Sequence, residues 1–191
     1  LERQQKQQTA HAPSASAAGP AYQTGLSLTQ ARLDGLNLDG MDFNGLSLVG
    51  AFLQNTSFAG ARLRHADLRA AMLESTAFRG ADLRGSNFEG SNLLQVSLAR
   101  ADLRGARLVS VGVKGCELLG ADLRGADLTG LREASTAGWR GANIAGTQGL
   151  TSALRQQLLA LGAVELADDA AWAQQQQGMQ AGTPAAPAPT R

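Results

Sequence analysis

The chain has 191 residues, 43% of them hydrophobic and 17% charged, with a formal net charge of +1. That length and composition allow one domain with a real core plus tails, and the near-neutral balance excludes any global pull toward nucleic acid, a membrane surface or an acidic tail. The single cysteine, Cys116, excludes an internal disulfide and fits a reducing, cytoplasmic setting, and no apolar run approaches the roughly 18 residues that a membrane-spanning helix needs.

Residues 1–24 are rich in Gln, Ala and Ser and contain Pro13, Gly19 and Pro20. Such a composition buries too little apolar surface to offset the entropy of ordering, so a disordered linker is expected, with a brief helical tendency over Glu2–Gln8. The chain opens on Leu rather than Met and shows no apolar h-region, which reads as a fragment or processed form rather than an intact signal peptide.

From residue 25 to 131 one pattern takes over. Between Leu28 and Leu128 a large apolar residue stands at every fifth position, 21 in all: 16 Leu, four Phe (Phe43, Phe58, Phe78, Phe88) and Val113. A period of five fits neither the 3.6 of an α-helix nor the 2.0 of a strand, so the chain must turn at every repeat to keep these side chains inward. Two residues before each centre the residue is Ala, Ser, Thr or Cys at 15 of the 21 positions, a second and tighter inward site. Two residues after it, 13 of 21 positions are Gly, which suits a tight corner. The pentad Ala-Asp-Leu-Arg-Gly recurs at 81–85, 101–105 and 121–125, and this spacing of twenty predicts four sides per coil. Stacked at the inter-strand spacing, a little over five coils would make a rod roughly 25 Å long.

Tandem units such as 81–85, Ser-Asn-Phe-Glu-Gly at 86–90 and Ala-Asp-Leu-Thr-Gly at 126–130 resemble the pentapeptide-repeat family. The resemblance implies an all-β solenoid, a right-handed quadrilateral β-helix with a short C-terminal capping helix. It is specific for fold and says little about function.

The first turn departs from the pattern, because Leu26, Leu36, Met41 and Leu46 occupy the normally small inward site. A wider turn, or one folded over the open end as a cap, is expected there. Further along, Arg64, Arg84, Arg104 and Arg124 form one ladder beside Asp82, Asp102 and Asp122, and opposite charges so interleaved read as a self-neutralised solvated face rather than a phosphate-binding strip. Another face places Phe52 and Met72 just before the centre and Leu94 just after it, where polar residues are ordinary, and these three are the candidate protein-contact residues of the rod. The beat breaks at Glu133 and resumes one residue out of step at Trp139 and Ile144, so residues 132–150 are expected to form a loop and an irregular partial coil, with Trp139 covering the lower end of the core.

Thr151 and Ser152 are able to cap a helix that carries Leu154, Leu158 and Leu161 at helical spacing and stops at Gly162. With Leu150, these leucines are expected to face the coil end, leaving Leu159 off the stripe. Residues 151–177 are thus a cap helix and extension, with an extended piece at Ala163–Leu166 and a weak helix through Trp172, and 178–191 a disordered tail. In gyrase-binding relatives of the resembled family the C-terminal segment joins two rods, which implies a homodimer through Leu159 and Trp172.

Catalytic chemistry is not expected. His11 lies in the N-terminal linker, His65 stands at a corner, Cys116 takes a small inward site, and no metal or nucleophile set converges on any of them. The glycines mark corners rather than a phosphate-binding loop, and the carboxylates line a convex wall. The expected protein is therefore a cofactor-free, non-enzymatic structural or interaction module for an unidentified protein partner, either free-standing or one part of a larger bacterial protein. The alternative implied by the resemblance is a DNA mimic acting on gyrase or another topoisomerase. Between Leu26 and Leu131 there are 11 Asp or Glu against 11 Arg or Lys, which disfavours that alternative, as the interleaved signs disfavour nucleic-acid binding.

Overall fold

The computed structural model describes residues 27–134 and 137–181; the linker assigned to 1–24, together with Leu26, and residues 182–191 of the tail lie outside them. Each five-residue unit closes with the N–H that follows the corner donating to the carbonyl of the central residue three positions back, as in Ala31 to Leu28, Ala81 to Phe78 and Ala121 to Leu118, all at 3.0 Å. The corner residue itself is left-handed, with φ between 54° and 71° at every fifth position from Gln30 to Gly130. An i to i+3 bond with positive φ at the third residue is the type II turn. Gly adopts this φ without strain, but Asn55, His65, Ala70 and Arg100 hold it too, so the coil imposes the corner whatever residue stands there.

Parallel bridges join residues twenty apart, which gives the four sides. Face 1 carries the row from Ser27 to Asp127, face 2 that from Arg32 to Arg132, face 3 that from Asn37 to Glu117, and face 4 that from Asp42 to Asp122. Three straight residues per side are too few for a continuous strand, so the expected β-helix is built from single-residue bridges rather than regular strands. The Asp or Asn that often precedes the centre also serves the backbone, because its carboxylate or amide oxygen accepts the N–H two residues on, as in Asn87 to Glu89 and Asp127 to Thr129, both 3.0 Å. This side-chain bond satisfies a corner N–H for which no backbone carbonyl of a described neighbouring coil serves as acceptor.

From Leu48 to Leu128 every central side chain is at most 1% exposed. Phe58 and Phe78, one coil apart, stack at 5.2 Å, and Phe43 and Phe88 meet this pair edge-on at 5.3 and 6.0 Å. The small inward site admits hydroxyls and one thiol because each finds a carbonyl: Thr76 donates to Leu53 and Cys116 to Leu93, both at 2.7 Å. The first coil is different. Leu36 and Met41 are 44% and 38% exposed, so they do not fold over the end as a cap, and their turn bonds to Leu33 and Leu38 lengthen to 3.3 Å.

At the other end the register changes from twenty to twenty-one, with Glu117 bridging Gly138 and Asp122 bridging Asn143. Trp139 and Ile144 take central positions at 1% and 0% exposure, and the Trp139 indole N–H donates to Ala134 O at 2.8 Å. Thr151 caps α1 (Ser152–Ala160) by accepting the Leu154 N–H. Gly149 ahead of it has φ +76°, and a Cβ there would lie 2.4 Å from Thr129 Cα. Leu158 seals the core at 0% exposure. The expected stripe needs one exchange: Leu159 packs against the core with Leu150 and Leu154, whereas Leu161, the C-cap, is 37% exposed. The reason is that α1 ends at residue 160, and Gly162 turns the chain away before Leu161 reaches the coil. Val164 then bridges Asn143, adding one side of a further coil. A second helix, α2 (Asp169–Ala181), runs through Gly178, past the point where the composition predicts the start of the tail.

Candidate protein-contact face

Face 2 brings Phe52 and Met72 together as bridged neighbours, and Met72 in turn bridges Asn92, two residues before Leu94. Met72 is 47% exposed, the largest value among the exposed large apolar side chains described, while Phe52 and Leu94 are half-buried. One reason for the burial of Phe52 was not legible in the sequence: the Arg32 guanidinium lies 4.5 Å from its ring centre, a cation on a π face. Beside this row Gln54 donates to Glu74 at 3.0 Å, a polar rim to the apolar stripe. Among the described residues no ion pair involves Arg32 or its neighbours on this face as far as Leu94.

Face 4 is the opposite case. Arg64 reaches Asp82 at 2.5 Å, Arg84 holds Asp82 at 2.8 Å and Asp102 at 3.4 Å, and Arg104 holds Asp102 at 2.7 Å and Asp122 at 3.7 Å. Arg84 and Arg104 thus each bridge the carboxylate of their own unit and the one on the next coil. The hydrogen bond from Arg84 holds the Asp82 carboxyl well below the usual carboxylate range against the opposing effect of burial. Because these side chains remain partly exposed, each pair contributes only ~0–1 kcal/mol. Their main effect is to cancel the field along the rod.

The ladder ends under α2. Arg124 pairs with Asp122 at 2.6 Å and reaches Asp169 on the helix at 2.5 Å. Gln176 donates to Gly120 O at 3.2 Å, and a Cβ on Gly120 would lie 2.9 Å from the Gln176 amide. Asn143, fully buried, clamps the connecting segment by donating to Leu166 O at 2.7 Å and accepting its N–H at 3.1 Å. Between α2 and face 4 a groove of about 430 Å³ is lined by Arg100, Arg104, Asp122, Arg124 and Trp172. Trp172 is half-buried against its own chain, and Leu159, partly buried, packs against the end of the core.

Of the residues weighed for chemistry, His11 lies outside the described residues and His65 sits exposed at a left-handed corner. Cys116 is 2% exposed, and burial pushes its thiol up to about 12, the reverse of an activated nucleophile. No described helix is long and apolar enough to cross a membrane.

The family profile described as pentapeptide repeats matches in 8 copies over residues 24–58, 47–85 and 77–111. Among curated proteins none matches. Among solved structures, the chain is 32% identical to a pentapeptide repeat protein from Nostoc PCC 7120, over 65% of this chain and 84% of that one, with a TM-score of 0.30. It is 28% identical to a pentapeptide repeat protein from the Arabidopsis thaliana thylakoid lumen, over 71% and 82%, with a TM-score of 0.36. It is 18% identical to QnrB1, a plasmid-mediated fluoroquinolone resistance protein, over 81% and 83%, with a TM-score of 0.35. The five-residue beat, the twenty-residue register and the profile match agree, and the chain belongs to the pentapeptide-repeat family.

Proposed function

We propose that this protein is a non-catalytic interaction rod, a right-handed quadrilateral β-helix that presents face 2 to a protein partner. The observation that carries this reading is the division of labour between faces: face 4 neutralises its charges internally, whereas face 2 holds Arg32, Phe52, Met72 and Leu94 with no ion pair to them among the described residues. An apolar centre flanked by an Arg and a polar rim is the composition of a protein-binding patch. Replacing Phe52 and Met72 together by Glu should abolish partner capture from cells of the source organism while leaving the melting curve near that of the wild type. Undiminished capture would remove face 2 from consideration.

The same ladder argues against mimicry of DNA. A mimic needs a dense run of uncompensated negative charge, since the duplex carries about one charge per 1.7 Å of axis. Here the carboxylates of face 4 are engaged by Arg64, Arg84, Arg104 and Arg124. A supercoiling assay at micromolar protein should show neither inhibition of gyrase nor rescue from a quinolone, and either effect would restore the mimic reading.

A further inference from the structure

Face 2 is uneven along its length. Its outward row runs Arg32, Phe52, Met72, Asn92, Gly112 and Arg132, each bridged to the next. Above Asn92 the row is raised, with Met72 47% exposed. Below it the row is sunken. Gly112 has no side chain, and a groove of about 440 Å³ runs over it between Asn92 on one side and Arg132 and Glu133 on the other.

The row just after the centre is uneven in charge, with Glu74 one coil above Leu94 and Lys114 one coil below it. Glu74 accepts from the neutral amide of Gln54 at 3.0 Å, and Lys114 is exposed with no ion pair among the described residues, so neither charge is met by an opposite one. A surface that is raised and acidic on one side of a line, sunken and basic on the other, is complementary to itself.

We propose that the partner of face 2 is a second copy of this chain, packed face to face with the two rods antiparallel. The two-fold axis lies in the contact plane along the strand direction and passes over Asn92 and Leu94. This rests on face 2 being the working surface. Rotation about such an axis keeps each column over its counterpart and reverses the order of the coils. Met72 of each copy then enters the groove over Gly112 of the other, Glu74 meets Lys114, and Leu94 meets Leu94. Phe52, whose ring carries Arg32 at 4.5 Å, comes over Arg132, which stays anchored by its bond to Ser110 O at 3.0 Å. Charge fixes this register: moving the axis by a whole coil opposes Glu74 to Glu74 or Lys114 to Lys114, and moving it by half a coil opposes one or the other to Leu94. Helix α2 packs on face 4, the opposite wall, and stays clear of the contact. Because the patch pairs with itself, the assembly closes at two chains. The overlap spans five coils, about 20 Å of rod, and buries less than the roughly 800 Å² per partner of a standard interface, so weak, concentration-dependent pairing is expected.

Light scattering on the full chain over a concentration series tests this. The wild-type mass should rise from one chain to two. Glu74→Lys and Lys114→Glu should each weaken association on the order of tenfold, because like charges then face each other across the axis, and the two combined in one chain should restore it. Leu94→Cys should be joined to the second copy by a bifunctional maleimide that spans the roughly 10 Å between packed faces, whereas Glu89→Cys on face 1 should not. Cys116 is buried and should not react. A wild-type monomer at every accessible concentration overturns the proposal. So does association insensitive to Glu74→Lys, a double exchange that fails to restore pairing, or a covalent dimer from position 89 instead of 94. Capture of a different protein by face 2 is decided separately by the Phe52 and Met72 replacement, so self-pairing and the working surface fail by different results.

Discussion

Replacing Leu103 by Ala, and separately Arg104 by Ala, compares an inward with an outward residue one position apart. Leu103 is 0% exposed and lies between the central leucines of the coils on either side, Leu83 and Leu123. Its own N–H donates to Asp122 O at 2.7 Å, so the backbone around it is pinned to the next coil and collapses poorly into a cavity. Loss near the middle of the usual Leu→Ala range is expected, about 3–4 kcal/mol, or a fall in melting temperature of roughly 10 °C for a chain of this size. Arg104 makes ion pairs at 2.7 and 3.7 Å with a side chain 39% exposed to solvent, and solvent screening holds its loss below about 1 kcal/mol. Urea and thermal melts of the two variants decide the matter. Equal losses would refute the assignment of every fifth residue to the core and of its neighbour to the surface.

Asn143→Ala should detach the segment that leads to α2, because both groups of Leu166 lose their partner; a loss of about 1–3 kcal/mol is expected, with red-shifted Trp172 emission as helix α2 lifts from face 4. Ala70→Gly should raise stability by up to about 1 kcal/mol, since Ala70 holds φ +55° at a corner where a Cβ is strained, and a lower melting temperature would show that the coil tolerates Ala there without cost. In acid, Asp67 and Asp82 have folded values depressed by hydrogen bonds from Arg69 and Arg84, so their stabilisation is fully present above the unfolded value of about 3.9 and is lost as pH falls through the folded one. Melting temperature should thus be flat down to about pH 5 and decline below about pH 4, with Arg84→Ala shallower in that decline; an unchanged slope would remove the ladder as the cause.

The coil was legible because its signal is local and repeated. Leu, Phe and Val at every fifth position and Ala before them specify an inward pair, and three identical pentads twenty residues apart specify the number of sides. Trp139 and Ile144 announced the register change for the same reason. Other features depend on contacts distant in sequence. Gln30, Ala70 and Arg100 have no intrinsic preference for left-handed backbone; neighbouring turns force it on them. The span of α2 was hidden because a run of Gln carries little amphipathic pattern and Gly178 reads as a stop, whereas the helix is held by Arg124 and Gly120, about fifty residues earlier. Leu159 and Leu161 exchanged roles because helical spacing alone does not say where a Gly turns the chain. On face 2, Phe52 and Met72 were found by adding twenty, but Arg32 was not, since a charge before the centre looks like ordinary surface until its guanidinium is seen over the ring.

Face 2 as the working surface is tested most directly by placing a photoreactive amino acid at Met72 and, in separate chains, at Arg84 on face 4 and Arg69 on face 1, then irradiating in cells of the source organism. Met72 lies beside Phe52 in the apolar row, whereas Arg84 and Arg69 are each engaged by a carboxylate of their own face. A discrete protein adduct from position 72, absent from positions 84 and 69 and lost on Phe52→Glu, is the predicted result. Adducts from position 84 or 69 with none from 72 would contradict it.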